Sequence, residues 1–162
     1  MADAMEQLYQ QVILDHSRAR HGAGEIEPFD GQSFQVNPTC GDEVTLRVRM
    51  DHSTPTPRIA EVGWVGQGCS ISQASLSILT GLVTGQDVAT TDRLGETFRD
   101  LMHGRGVPLE PERQESLEDA AALTGVARYP ARIKCALLGW MALRDALAHA
   151  LTAEPSTQKE DS

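Results

Sequence analysis

Three cysteines are the side chains best suited to chemistry in this chain of 162 residues: Cys40, Cys69 and Cys135. They are far apart in the sequence, and none belongs to a Cys-x-x-Cys pair. An odd number of cysteines disfavours a disulfide framework. Three interpretations remain open: buried thiols that pack as small apolar side chains, a nucleophile, or a shared metal site.

The surroundings of the first two cysteines favour a chemical role. Cys40 is followed by Gly41 and Asp42, and a tight glycine turn there would let a thiolate and a carboxylate converge. Cys69 comes after a glycine-rich stretch and directly before a predicted helix. The free N–H groups and the positive end of that helix are expected to favour the thiolate.

The third cysteine has cationic neighbours. Arg132 and Lys134 lie within one turn of Cys135 on a predicted helix, and their charges are expected to favour its thiolate as well. Three thiolates and the Asp42 carboxylate are a four-ligand set that Zn²⁺ accepts, and the two cations would offset its negative charge. Spacing alone is a weak metal signal, because a cysteine on an apolar helix more often packs than binds.

Composition limits the kinds of protein that remain. The chain has 14 basic and 23 acidic residues and a net charge of −9, which argues against binding to nucleic acid. It has no apolar run of about 20 residues, as a membrane span needs, and its first 20 residues are too polar for a signal peptide. We therefore expect a cytoplasmic protein with no membrane partner. Residues 1–152 are predicted to form a single domain, and the polar residues 153–162 a disordered tail.

The elements that must position the cysteines can be predicted from periodicity. Strands are predicted over 33–37, 44–50 and 58–65, the second with a strict alternation of apolar and polar residues. Three consecutive strands favour an antiparallel meander, and one apolar face of it must be covered by helices. Trp64 and Trp140 are expected to fill the core between the two layers.

Helical spacing of apolar residues accounts for the rest of the chain. Helices are predicted near the N-terminus, after Cys69 with Ser70 or Ser72 as its cap, over about 91–102, over about 115–123, and from Pro130 onward. Residues 104–113 are predicted to be a loop. The fold class is therefore α+β, a three-stranded antiparallel sheet covered by about five helices.

Four segments resemble the U-type iron–sulfur cluster assembly proteins, the IscU/SufU family, which includes the N-terminal domain of NifU. Residues 8–16 (LYQQVILDH) look like the opening segment of that family, and His16 within them merits a test. Residues 37–42 (NPTCGD), 66–72 (GQGCSIS) and 132–138 (RIKCALL) resemble its three cysteine motifs, in order.

The resemblance implies a metal site made by Cys40, Asp42, Cys69 and Cys135. Within the family the chain is closer to the zinc-binding SufU branch for three reasons. Lys134 stands where scaffold-type IscU proteins carry histidine, the Leu-Pro-Pro-Val-Lys chaperone motif is absent, and residues 104–127 resemble the SufU insertion.

The function implied by that branch is zinc-dependent sulfur transfer. The chain would accept persulfide sulfur from a SufS-type cysteine desulfurase, with other Suf assembly proteins as further partners. Cys40 would leave the metal and attack the outer sulfur, while the other ligands hold the ion and Arg132 pairs with Asp42. Two alternatives stay open: a scaffold for a transient [2Fe–2S] cluster, and a purely structural zinc site. Whether the chain counts as an enzyme is left open by the sequence.

Overall fold

The computed structural model describes residues 4–152 and has the predicted α+β fold, with a three-stranded antiparallel sheet and helices packed on it. In chain order its elements are α1 (Ala4–Ala19), β1 (Gly31–Asn37), β2 (Asp42–Asp51), β3 (Arg58–Gln67), α2 (Ser70–Val83), α3 (Val88–Met102), α4 (Pro111–Ser116), a 3₁₀ helix (Glu118–Arg128) and α5 (Pro130–Thr152). The predicted tail, residues 153–162, lies outside the described residues.

The sheet is a meander in the order β1-β2-β3. Val44, Leu46 and Val48 of the central strand are fully buried, while the residues between them are half-buried, as the alternation predicts. At one end of the first hairpin Asn37 pairs with Asp42. The four residues between them form the loop that carries Cys40, so the sheet register fixes where this loop lies.

The buried face of the sheet is covered by helices. The long helix α5 packs against β1 and β2, α2 packs against α5, and α1 lies on α2 and the 3₁₀ helix. Trp64 is fully buried, and Trp140 is stacked on Phe98 with ring centroids 5.2 Å apart. Both tryptophans are in the core, as predicted, and the contact shown for Trp140 there is with Phe98 of α3. Within residues 4–152 no helix is both long and apolar enough to cross a membrane.

The start of α3 differs from the prediction. The helix was expected from about residue 91, with Asp87 as part of the break before it. Instead Asp87 is the N-cap residue, and its carboxylate accepts a hydrogen bond from the Thr90 N–H at 2.7 Å. This cap satisfies one of the free donors of the first turn and lets the helix begin at Val88.

The segment between α3 and α5 was also predicted incorrectly in part. A loop was expected over 104–113 and one helix over about 115–123. In the structure Pro111 occupies the first turn of α4, where a missing N–H costs nothing, and α4 ends at Ser116. A separate 3₁₀ helix then runs over Glu118–Arg128 and contributes the buried Leu123 to the core.

Candidate metal centre

Cys40 is held in a tight loop between β1 and β2. Gly41 has a φ of 76°, a left-handed conformation that glycine adopts without strain, and its N–H donates to the Asn37 carbonyl at 2.9 Å. The loop leaves Cys40 exposed. The glycine turn therefore has the predicted effect: the thiol and the carboxylate two residues later converge.

Three of the four predicted ligands meet at one point. The Cys40 thiol donates to Asp42 Oδ2 at 3.0 Å and lies 3.2 Å from the sulfur of Cys135. The ligand atoms of these three residues all lie within 4.8 Å of one another. Cys135 comes from the second turn of α5, so residues distant in sequence are brought together by the packing of α5 against the sheet.

Asp42 is a fully buried carboxylate with hydrogen bonds to both of its oxygens. Burial raises its pKa, but hydrogen bonds from the Cys135 and Cys40 thiols and from the Cys69 N–H, together with the positive charge of Arg132, lower the pKa more. The net result is a pKa below the usual 3.8. Asp42 is therefore ionised at neutral pH and available as an anionic ligand.

The expectation for Cys135 was wrong. Its pKa was expected to fall because of two neighbouring cations, whereas it rises well above the usual 9.0. Burial is the largest cause, since the side chain is only 1% exposed, and the neighbouring Asp42, Cys40 and Cys69 raise the pKa further. The nearby acidic groups outweigh the exposed cations, so in the absence of a metal Cys135 is a neutral thiol.

Cys69 lies at the edge of this group. It is the N-cap residue of α2, in place of the predicted Ser70 or Ser72, and Ser72 donates to its carbonyl at 3.0 Å. Its backbone N–H donates to Asp42 Oδ1 at 3.0 Å. The Cys69 thiol is near enough to raise the pKa of Cys135, but it does not belong to the group of ligand atoms that lie within 4.8 Å of one another.

The donor set suits zinc. Two thiols and a carboxylate converge, with the Cys69 thiol near Cys135, and sulfur and carboxylate oxygen are ligands that Zn²⁺ accepts in tetrahedral sites. Tetrahedral Zn–S bonds would separate two sulfurs by about 3.8 Å. The observed 3.2 Å between the sulfurs of Cys40 and Cys135 is shorter, so these two sulfurs would have to move slightly apart to bind the same ion.

The two cations near Cys135 differ in their relation to the site. Both Arg132 and Lys134 are exposed on the first turns of α5. Arg132 acts electrostatically on Asp42, whose pKa it helps to lower. Lys134 is not one of the main groups that shift the pKa of Asp42 or of Cys135.

One residue of the site had no role assigned from the sequence. The side-chain amide of Asn37 donates to the sulfur of Cys40 at 2.9 Å, and Asn37 is only 6% exposed. Its Oδ1 accepts from the Thr39 N–H at 3.2 Å, which makes an Asx turn. The signal was present in the sequence as an Asn-Pro pair that begins the cysteine turn.

His16 makes its hydrogen bonds with residues outside the cysteine–aspartate cluster. Its two ring nitrogens lie 2.8 Å from Ser77 Oγ and 2.8 Å from Asp119 Oδ2, which ties α1 to α2 and to the 3₁₀ helix. The order Ser–His–Asp resembles a hydrolytic triad, but Ser77 is fully buried within α2 and out of reach of a substrate. This hydrogen-bond network therefore holds α1 against α2 and the 3₁₀ helix.

Comparison with known proteins agrees with this fold. The family model described as NifU-like N terminal domain matches residues 8–136. An iron–sulfur cluster assembly scaffold protein IscU from Streptococcus pyogenes serotype M1 is 34% identical over 155 residues, covering 96% of this chain and 92% of that protein. The zinc-dependent sulfurtransferase SufU of Bacillus subtilis (strain 168) is 36% identical over 144 residues, covering 89% and 92%.

Solved structures show the same architecture. The putative iron–sulfur cluster assembly scaffold protein for the SUF system from Fervidobacterium islandicum AW-1 has a TM-score of 0.75 at 30% identity, covering 88% of this chain and 98% of that one. A NifU-like protein (N-terminal) from Brucella abortus has a TM-score of 0.78 at 19% identity, covering 93% and 100%, and supports the fold alone. The α+β fold and these matches together place the chain in the class of iron–sulfur cluster assembly proteins. The chain belongs to the NifU-like N-terminal domain family, which includes IscU and SufU.

Proposed function

We propose that this chain is a zinc-dependent sulfur carrier that accepts persulfide sulfur from a cysteine desulfurase. The observation that carries the proposal is the contrast between two thiols in contact. Cys40 is exposed on a turn, while Cys135, whose sulfur is 3.2 Å away, is buried. One thiol is thus accessible to a partner protein while the other stays within the fold.

The residues that would hold zinc are Cys40, Asp42, Cys69 and Cys135, the four that the family resemblance implies. Bound zinc would keep the thiols deprotonated and ordered, and it is not redox-active. Asp42 is already ionised, because its pKa is lowered. Arg132 would keep the carboxylate in place by its charge when Cys40 is engaged with the partner.

Cys40 is the proposed sulfur acceptor. Its thiolate attacks the outer sulfur of a persulfide on the desulfurase cysteine, and a new S–S bond forms to Cys40. The S–S bond within the donor persulfide breaks, and the electron pair leaves with the desulfurase thiolate. The exchange is redox-neutral. The exposed position of Cys40 and the glycine that follows it give the sulfur access to a docked partner.

A scaffold for a transient [2Fe–2S] cluster is the second candidate, since thiolates and a carboxylate serve such a cluster as well. The relatives include proteins with scaffold names and one named as a zinc-dependent sulfurtransferase. Lys134 before the last cysteine favours the carrier, because the resemblance places histidine there in scaffold-type proteins.

The metal that copurifies tests the two candidates directly. Protein purified without oxygen should contain close to one zinc per chain and lack the visible bands of an iron–sulfur chromophore. Iron and sulfide in equal amounts, with such bands, would instead support the scaffold.

A sulfur-transfer assay with a cognate cysteine desulfurase tests the carrier role. Zinc-loaded protein should accept labelled sulfur on Cys40, and metal-stripped protein should not. Cys40→Ser should abolish acceptance and remain folded, whereas a purely structural zinc site predicts that this variant unfolds. Equal acceptance by loaded and stripped protein would refute the zinc dependence.

A further inference from the structure

The side-chain amide of Asn37 donates a hydrogen bond to the sulfur of Cys40. Its Nδ2 lies 2.9 Å from the Cys40 sulfur, as close as the Asp42 carboxylate oxygen at 3.0 Å and closer than the Cys135 sulfur at 3.2 Å. Asn37 is nearly fully buried, so solvent does not compete strongly for its amide.

The orientation of the Asn37 amide is fixed by its own contacts. Oδ1 accepts a hydrogen bond from the Thr39 N–H. The amide nitrogen could not accept this bond, because it is a donor only, so the amide is oriented with Oδ1 toward Thr39 and Nδ2 toward the sulfur. The Asn37 carbonyl also accepts from the Gly41 N–H at 2.9 Å, and the residue pairs with Asp42 in the sheet. Asn37, which provides the amide donor, is therefore held both by the sheet and by the loop that carries Cys40.

The other two contacts of the Cys40 sulfur are with groups that would be committed to a metal. Asp42 and Cys135 are proposed ligands, whereas an asparagine amide nitrogen is a donor and has no lone pair for zinc. Asn37 is thus the neighbour whose contact with Cys40 does not depend on the metal. It also donates at every pH at which the protein is folded, because an amide does not titrate.

We propose that Asn37 is a positioning residue for sulfur acceptance: its amide hydrogen bond orients the Cys40 sulfur for attack on the donor persulfide. The inference rests on the proposed sulfur-carrier function and adds the residue that holds the nucleophile. In the transfer step Cys40 forms the new S–S bond, the donor S–S bond breaks and the desulfurase thiolate leaves. Asn37 exchanges no atoms or electrons in this step.

Two substitutions separate the bond to sulfur from the turn. Asn37→Asp and Asn37→Ser both keep an oxygen that can accept from the Thr39 N–H. An ionised aspartate has no hydrogen to donate to Cys40, and the serine hydroxyl, which lies nearer the backbone than Nδ2, is too short to replace the amide donor at the sulfur. The matched control is Gln35→Glu, an amide-to-acid change on the same strand, since the Gln35 amide donates to Ser33 and not to the cysteine loop. Asn37→Ser carries the test if the added charge of Asn37→Asp prevents folding.

The first readout is the desulfurase reaction with this chain as sulfur acceptor. Both variants should lower kcat about 10- to 100-fold, as loss of an outer hydrogen bond to a metal-site residue typically does. The KM for the acceptor should stay within about twofold of wild type, because docking is unchanged, and Gln35→Glu should behave as wild type. A kcat within twofold of wild type, or a change confined to KM, would overturn the proposal.

The second readout does not depend on turnover. In protein loaded with Co²⁺ in place of zinc, removal of the N–H donor raises the energy of the sulfur lone pair. The thiolate-to-metal charge-transfer band should therefore move to longer wavelength in both variants. An unchanged band would refute the hydrogen bond. If wild-type protein itself accepts no sulfur, the proposed function fails, and this band still reports on the Asn37–Cys40 bond.

Discussion

The Oδ1 atom of Asp42 accepts a hydrogen bond from the backbone N–H of Cys69 at 3.0 Å. The start of β2, which includes Asp42, is thereby joined to the residue that precedes α2 as its N-cap. Gly68 lies against the same carboxylate, and a Cβ placed on it would be 2.5 Å from Asp42 Oδ1 and 2.3 Å from Ser72 Oγ. The absence of a side chain at Gly68 thus allows the second cysteine motif to approach Asp42.

Gly68→Ala should weaken zinc binding while the protein remains folded. The added methyl must push aside a carboxylate that is fully buried and cannot move into solvent, so Asp42 loses its position relative to the thiols. We expect a loss in affinity of about 10- to 100-fold, measured by competition with a chelator. Gly81→Ala is the control, because a Cβ there meets no atom within 4 Å. Equal affinities of the two variants would contradict the prediction.

Zinc binding should release at least one proton per ion at neutral pH. Burial first, and then Asp42, Cys40 and Cys69, raise the pKa of Cys135, so its thiol is protonated in metal-free protein and must lose the proton to bind zinc. Calorimetric titrations in two buffers of different ionisation enthalpy give the number of protons released. A value of zero would show that Cys135 is not a ligand.

Arg132→Ala should slow sulfur acceptance without lowering stability. The side chain is exposed and acts on Asp42 by charge alone, so solvent screening limits the expected effect to about two- to fivefold. The effect should shrink in high salt. Lys134→Ala is the matched control, since Lys134 is also exposed on the same helix and is not one of the main groups that lower the pKa of Asp42. Equal rates for the two variants would remove Arg132 from the mechanism.

The parts of the site that follow from local sequence were predictable. The turn at Gly41 brings Cys40 and Asp42 together over three residues, and glycine in a left-handed conformation is a local property. The pKa of Cys135 was not predictable from its neighbours in the chain, because it is set by burial against the sheet. The contact of the Asn37 amide with the Cys40 sulfur is local, three residues apart, but the Asn-Pro pair shows only that a turn begins there and not which way the amide faces.

The fold, like the site, was predicted well where it follows from local sequence patterns and less well elsewhere. Strict alternation predicted β2 correctly, since a half-buried strand follows from period two alone. Residues 104–128 were predicted less well, because a proline reads equally as part of a loop or as the first turn of a helix. Asp87 was predicted to be part of the break before α3, whereas its carboxylate caps this helix. Aspartate is common both in breaks between helices and at N-caps, so its presence alone does not separate the two.

Wild-type protein should lose stability in acid more steeply than Asp87→Asn. The Thr90 N–H is the main cause that lowers the pKa of Asp87 below 3.8. A carboxylate with a depressed pKa in the folded state contributes stability above its unfolded pKa, and this contribution is lost as the pH falls through the folded value. Asparagine keeps the cap but cannot titrate. Urea unfolding of metal-stripped protein between about pH 5 and pH 3 measures the free energy of unfolding of both proteins. If this free energy falls with pH equally in wild type and in Asp87→Asn, the charge on Asp87 does not contribute to the cap.

Gly139→Ala should destabilise the contact between α5 and α2 on which the position of Cys135 depends. Gly139 lies one turn after Cys135, and a Cβ there would be 2.6 Å from Leu76 Cδ2 and 3.1 Å from Leu79 Cδ2. Both leucines are buried, so the helices must separate or the side chains must leave their rotamers, at a cost of about 1–3 kcal/mol. Urea unfolding of zinc-loaded protein measures the loss, with Gly125→Ala as the control because a Cβ there meets nothing within 4 Å. If both variants unfold at the wild-type midpoint, the packing of α5 on α2 tolerates a methyl group and does not constrain Cys135.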